Sequence, residues 1–149
     1  MATQLSGALR TLVILSLVCG CGTEPEVRPL EGTYAAAYDP GVVGYATETC
    51  DRLISHVILS LNTSGGFDLS INVVDDCSRG GGGASFFEVL KLGTYSRLGP
   101  TLSFTAEGET TAALTGQLID EYMRLTLPAD FEALAPNHLE LRLDPVTPD

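Results

Sequence analysis

The sequence predicts an all-β domain, an eight-stranded antiparallel up-and-down barrel, on three observations. Apolar and polar residues alternate in short runs along most of the chain, which is the period of a strand with one wet face. Turn-forming Gly, Asn and Asp residues separate neighbouring runs, so successive strands pair as hairpins. No stretch longer than one or two turns suits a helix, and no repeat of about 20 to 50 residues recurs. Consecutive antiparallel strands close most simply into a barrel, which removes both sheet edges; a Greek-key β-sandwich of similar strand count is the alternative. The chain has 149 residues, 44% hydrophobic and 18% charged, with 16 Gly. That is enough for one small domain and excludes a coiled coil, a collagen repeat and a wholly disordered chain.

The strands are expected at about residues 31–38, 50–62, 66–77, 85–97, 101–107, 111–118, 122–128 and 137–144. The clearest is Phe67-Asp68-Leu69-Ser70-Ile71-Asn72-Val73, apolar at every odd position. Before it, Leu53, Val57, Leu59 and Leu61 share odd positions, and Asn62-Thr63-Ser64-Gly65-Gly66 supplies the turn of a hairpin. Alternation returns in Leu102, Phe104 and Ala106, in Ala112, Leu114, Gly116 and Leu118, in Met123, Leu125 and Leu127, and in Leu139, Leu141 and Leu143. A tight turn at Asp120-Glu121 sets Leu118 opposite Met123. The one helical candidate is 129–135, bracketed by Pro128 and Pro136. The inner wall is expected to include Leu59, Leu69, Ile71, Leu102, Phe104, Leu114, Leu125 and Leu141.

The start of the chain reads as an address. Arg10 is the one charge in residues 1–20, and it precedes the apolar run Thr11-Leu12-Val13-Ile14-Leu15-Ser16-Leu17-Val18. That run is too short to span a bilayer, which takes roughly 20 residues, and it suits a secretory leader. The segment Val18-Cys19-Gly20-Cys21 resembles the bacterial lipobox, with small Gly20 before the cysteine and bulky Val18 disfavouring Cys19. The resemblance implies a lipoprotein signal peptide over 1–20, lipidation of Cys21 and, since Gly22 rather than Asp follows, residence in the outer membrane. Residues 21–29, with Pro25, Pro29 and three charges, form a tether. The remaining 30–149 make the folded domain.

The order of the pieces then resembles the small lipocalin-like domains of bacterial lipoproteins. The resemblance rests on Gly32-Thr33-Tyr34 in the first strand, the long hairpin through Leu61 and Phe67, and Gly93-Thr94-Tyr95 followed by Thr101-Leu102-Ser103-Phe104-Thr105. It covers about residues 30–144. Lipocalins set a first-strand Trp across the closed end with an Arg of the last strand packed over it. Tyr34 and Arg142 stand at the matching positions, and Asp120 stands where the family often carries Thr-Asp. The Trp and the C-terminal helix of the full-length family are missing.

Cys50 and Cys77 lie in an oxidising compartment on this reading and should pair. With Leu61 facing Phe67, the register continues until Cys77 faces Asp51; a single bulge in the second strand brings Cys77 to Cys50 instead. The glycine run of Ser78-Arg79-Gly80-Gly81-Gly82-Gly83 lacks the Lys-Ser or Lys-Thr and the helix of a phosphate loop, so it reads as a rim connection.

Function is bounded mainly by exclusion. A net charge of −11 repels phosphate and argues against nucleic acid. His56 and His138 lie on polar strand faces, Ser55 and His56 point to opposite faces, and no nucleophile elbow or paired-His motif is present, so no enzyme is expected. Asp51, Asp75 and Asp76 lack the alternating spacing of a calcium loop, and no metal or cofactor is expected. The leading expectation is a membrane-anchored envelope lipoprotein whose barrel binds a small apolar molecule. The alternative is a structural or adaptor module acting through protein contacts at its rim loops, with partners that the sequence does not name. Interior volume separates them, and Ala35-Ala36-Ala37, Ala112-Ala113 and Gly116 point toward a cavity.

Overall fold

The computed structural model describes residues 30–147; the expected leader over 1–20, the expected lipidation site Cys21 and the expected tether over 21–29 lie outside the described residues. Eight antiparallel strands close into a barrel in simple sequence order. They are β1 (Gly32–Ala46), β2 (Asp51–Leu61), β3 (Gly66–Asp76), β4 (Ala84–Leu98), β5 (Thr101–Ala106), β6 (Leu114–Ile119), β7 (Tyr122–Leu127) and β8 (Leu139–Pro145). The first four are long and the last four short, so closure occupies one half of the barrel's height. β5 joins β4 at Gly93–Leu98 alone, and β8 joins β1 through Tyr34↔Pro145 and Ala35↔Asp144. Call that closed half the upper end. Below it, β1–β4 continue as a four-stranded sheet.

Turn chemistry fixes the upper hairpins. The Asn62 Oδ1 atom accepts from the Ser64 hydroxyl at 2.7 Å and the Gly66 amide at 2.7 Å, tying the β2–β3 turn to itself. Gly65 sits at φ +82, a conformation open to Gly at little cost. Tyr95 donates its hydroxyl to the Asn62 carbonyl at 3.1 Å, joining this turn to β4.

The interior is one apolar cluster. All eight inner-wall residues expected from alternation are buried in it, together with Ile54, Val57, Val73, Met123 and Leu143. Phe67 and Phe104 meet edge to face with ring centres 5.2 Å apart, a favoured aromatic geometry. No polar or charged residue is buried among the described residues.

The β2–β3 register behaves as its two cysteines require. Leu61↔Phe67 holds down to His56↔Asn72, then shifts by one residue so that Ile54 faces Val73 and Asp51 faces Asp76. Ser55 is the extra residue, and its hydroxyl donates to the Asn72 carbonyl at 3.2 Å. The next pair down is Cys50 with Cys77, joined as a disulfide. The shift also corrects one reading of the sequence: Leu53 leaves the inner face it shares by parity with Val57, and Ile54, fully buried, replaces it.

Three further expectations differ. The first strand does not stop at residue 38 but runs on through the cis Asp39–Pro40 bond to Ala46, with irregular pairing between Ala37 and Val42. The sixth begins at Leu114 rather than 111, because Glu107–Ala113 bend out between β5 and β6. The helical candidate 129–135 is a 3-10 turn at Phe131–Ala133 with left-handed residues at Asp130, Glu132 and Ala133. The space between two prolines is too short to nucleate an α-helix.

Replacing both Cys50 and Cys77 by Ser should lower the urea-unfolding free energy by about 3 to 4 kcal/mol, as expected for opening a loop of this length, with the far-UV β signal kept. An unchanged midpoint would show that the hairpin below Ser55 is held without the bond.

Candidate functional site

The lower end of the barrel holds the features that packing alone does not require. Below Ser55 the changed parity of β2 turns Arg52 toward the inner side that Asp75 shares with Val73 on β3, and Arg52 Nε and Nη2 donate to the two Asp75 carboxylate oxygens, each at 2.7 Å. The remaining Arg52 nitrogen, Nη1, donates to the Ala133 carbonyl at 2.8 Å, and the guanidinium lies 5.0 Å from the Phe87 ring centre. The hydrogen bond from Arg52 holds the Asp75 carboxyl below the usual carboxylate range, and the same bond raises Arg52.

Residues 128–138 form a plug across this end. Phe131, Leu134 and Ala135 are buried, and the Asp130 amide closes the loop on the Ala135 carbonyl at 2.8 Å. Lys91, opposite Leu69 on the inner side of β4, pairs with Glu132 and lies 5.9 Å from the Phe131 ring centre. Gly44 allows the closest approach: a Cβ there would stand 2.3 Å from the Leu134 carbonyl oxygen. Three left-handed non-Gly residues cost of order 1 kcal/mol each, so Arg52, Lys91 and the apolar anchors hold the plug against local preference.

The carboxylates weighed for calcium are spoken for separately. Asp75 takes Arg52, Asp51 pairs with Arg79, and Asp76 accepts from the Ser78 amide at 3.0 Å, which lowers its pKa. Among the described residues no group of three or more His, Cys, Asp or Glu is placed to hold a metal ion. His56 sits on the outer wall in the row His56↔Asn72↔Glu88, and His138 is exposed at the end of the plug segment. Arg142 corrects the expectation that it covers Tyr34. Its guanidinium is exposed, pairs with Asp144 at 3.0 Å and lies 4.3 Å from the Tyr122 ring centre, while Tyr34 is buried and donates its hydroxyl to the Leu30 carbonyl.

The outer wall of the lower sheet is unusually apolar. Val43, Leu53, Val74 and Phe86 stand side by side across β1–β4, and Ile58, Ser70 and Leu90 form a second row. Phe86 is 77% exposed and Leu90 65%. Between the rows, Ser55, Asn72, Phe86 and Glu88 help line a shallow depression of about 410 Å³.

Comparison with protein-family models, curated proteins and solved structures finds no match. The site therefore stands on its own chemistry. Alternation found the interior, and the half-hairpin register found the disulfide; both stand where expected. The outer rows of β4 were missed, although Phe86-Phe87-Glu88-Val89-Leu90-Lys91-Leu92 carries a signal for them. It is apolar at odd and even positions alike, as a strand covered on both faces would be.

The depressed Asp75 pKa gives the ion pair a pH signature. Its folded pKa lies below the unfolded one, so the stabilisation is full above about pH 4, the unfolded carboxylate range, and is lost as pH falls through the folded value. Asp75→Asn should therefore lower stability at pH 7 and flatten the decline below about pH 4. Denaturation midpoints that fall in parallel for both proteins across that range would remove Asp75 from the acid response.

Proposed function

We propose that this chain is a non-enzymatic adaptor of the bacterial cell envelope: a lipoprotein held in the outer membrane through Cys21, with 1–20 removed and 21–29 as tether. The reading belongs with the lipocalin-like lipoproteins that the sequence resembles. It departs from a ligand carrier because of one observation, the packing at Gly116. This glycine is among the small residues that suggest a cavity, yet a Cβ there would lie 3.0 Å from Phe104 Cε2 and 3.3 Å from the Met123 sulfur. The room left by the missing side chain is already taken by its neighbours. At Gly93 the Phe67 ring does the same, 2.8 Å from a built Cβ. A small eight-stranded barrel filled in this way has its interior committed to stability, which leaves the surface for partners.

The ends of the barrel divide the work. Chain from the tether arrives at the upper end, where Gly32 pairs with Leu61. A tether of nine residues reaches at most about 30 Å, and the plug and the apolar lower sheet lie at the opposite end, facing away from the anchor. Contacts with protein partners at that lower end are the function this arrangement supports best.

Native mass spectrometry of protein extracted from its own envelope should show a lipid-modified N-terminal Cys21 and no retained apolar molecule. Cys21→Ser should move the protein from the membrane to the soluble fraction; continued tight membrane association would remove the anchor from the proposal. A fluorescent fatty-acid analogue should show no saturable binding, whereas saturable binding indifferent to salt would restore the reading of a barrel for small apolar ligands. Gly116→Val tests the filled interior directly. Overpacking against Phe104 and Met123 should cost about 1 to 3 kcal/mol, and a neutral outcome in thermal unfolding would mean that space remains there.

A further inference from the structure

We propose that the unpaired edge of β4, from Ala84 to Lys91, accepts an extended partner segment of alternating apolar and basic residues as an added strand. The proposal rests on the adaptor reading and deepens it by naming the surface and the chemistry of the partner.

The edge is defined by the hydrogen-bond phase of β4. The Tyr95 amide donates to Gly65 on the β3 side, and the Leu92 carbonyl accepts from the Glu107 amide on the other side. Peptide groups of odd residues thus turn toward β3, and those of Ala84, Phe86, Glu88 and Leu90 turn away from it. β5 pairs no residue of β4 before Gly93. Among the described residues, then, a row of N–H and C=O groups from 84 to 90 has no strand beside it, the template that an added strand uses.

Its counterpart shows what a protected edge looks like in the same sheet. The lower half of β1 carries Pro40, Gly41 and Gly44, two register irregularities and the plug backbone packed at Gly44. Pro, bulges and covering loops are the usual guards against strand addition. From Ala84 to Leu92 β4 has no Pro or Gly, and its pairing with β3 runs without a shift. Exposed Phe86 and Leu90 stand on the outer face beside this edge.

Charge selects the occupant. Glu88 lies mid-edge, Glu107 and Glu109 stand on the loop bonded at its upper end, and among the described residues none of the three pairs with a cation. A chain of net charge −11 attracts a basic strand. A second copy fits poorly, because it carries the same acidic groups and two chains each of net charge −11 repel.

The test uses the full chain in detergent and a capped, labelled octapeptide of alternating Val and Lys. It should bind at least about tenfold more tightly than the Val and Glu counterpart and weaken with salt. It should slow amide exchange at Phe86, Glu88 and Leu90. Backbone N-methylation of the peptide at alternate residues should abolish binding, a control independent of any change to the protein. Glu88→Pro removes an outward N–H without touching the β3 ladder and should abolish binding, whereas Glu88→Gln should weaken it by only a few-fold.

Equal affinity for the acidic peptide, indifference to N-methylation, or binding unchanged by Glu88→Pro would each overturn the proposal. So would slow exchange at those three amides before peptide is added, which would show the edge already taken by a second copy or by the chain's own terminal segments. Loss of peptide binding with the anchor intact and the fatty-acid probe rejected sinks this proposal alone; saturable uptake of that probe sinks the adaptor reading.

Discussion

One extra residue in β2 governs the lower half of the molecule. A strand shows its side chains to alternate faces, so inserting a single residue reverses the assignment for everything beyond it. Above Ser55, Val57, Leu59 and Leu61 face inward; below it, Ile54 and Arg52 do. An unbroken ladder would have carried Leu53 and Asp51 inside. It would also have left Arg52 on the outer wall, away from Asp75 and the Ala133 carbonyl, and would have set Cys77 opposite Asp51 rather than Cys50. The disulfide, the ion pair and the anchoring of the plug are thus three results of one irregularity.

The second organising fact is unequal strand length. β1 and β4 have 15 residues each, whereas β5, β6 and β7 have six. Four strands cannot close a sheet that their neighbours do not accompany, so the inner side of the long half needs another cover. The 128–138 segment provides it, with Phe131 and Leu134 as apolar anchors and with Arg52 and Lys91 holding its backbone and Glu132. The conformation of that segment answers the shape it must fill more than its own preferences, which explains why a helical reading fails there.

Alternation in β2, β3, β5 and β7 was strong enough to locate the barrel and its interior from the sequence, since burial on one face imposes period two and little else. The Asn62–Gly66 turn and the cysteine pair then set a register that demanded a bulge. What stayed hidden was its reach: the sequence reading placed the bulge for the thiols yet left Leu53 inside. Likewise Gly116 pointed to open space, because a missing side chain says nothing about which neighbour leans into the gap. The β4 edge was obscure for a different reason. Whether a strand is paired depends on the length of its neighbour, and Glu107–Ala113 leave the sheet for want of alternation in a stretch rich in Glu and Thr.

The join between β1 and β8 has mechanical meaning. Two residue pairs and the Val146 amide bond to Thr33 at 2.8 Å seal the cylinder there, with Tyr38 adding a hydroxyl bond to the Arg142 carbonyl. β1 is also the strand into which the preceding chain runs. Load carried along β1 therefore meets ten residue pairs on the β2 side and two on the β8 side, so the cylinder is weakest at the β8 side. β2 and β3, cross-linked at the far end by Cys50 and Cys77, would keep their register if that seam opened. The cylinder thus has a built-in place to open, the β1–β8 seam, and a cross-linked hairpin that would survive the opening.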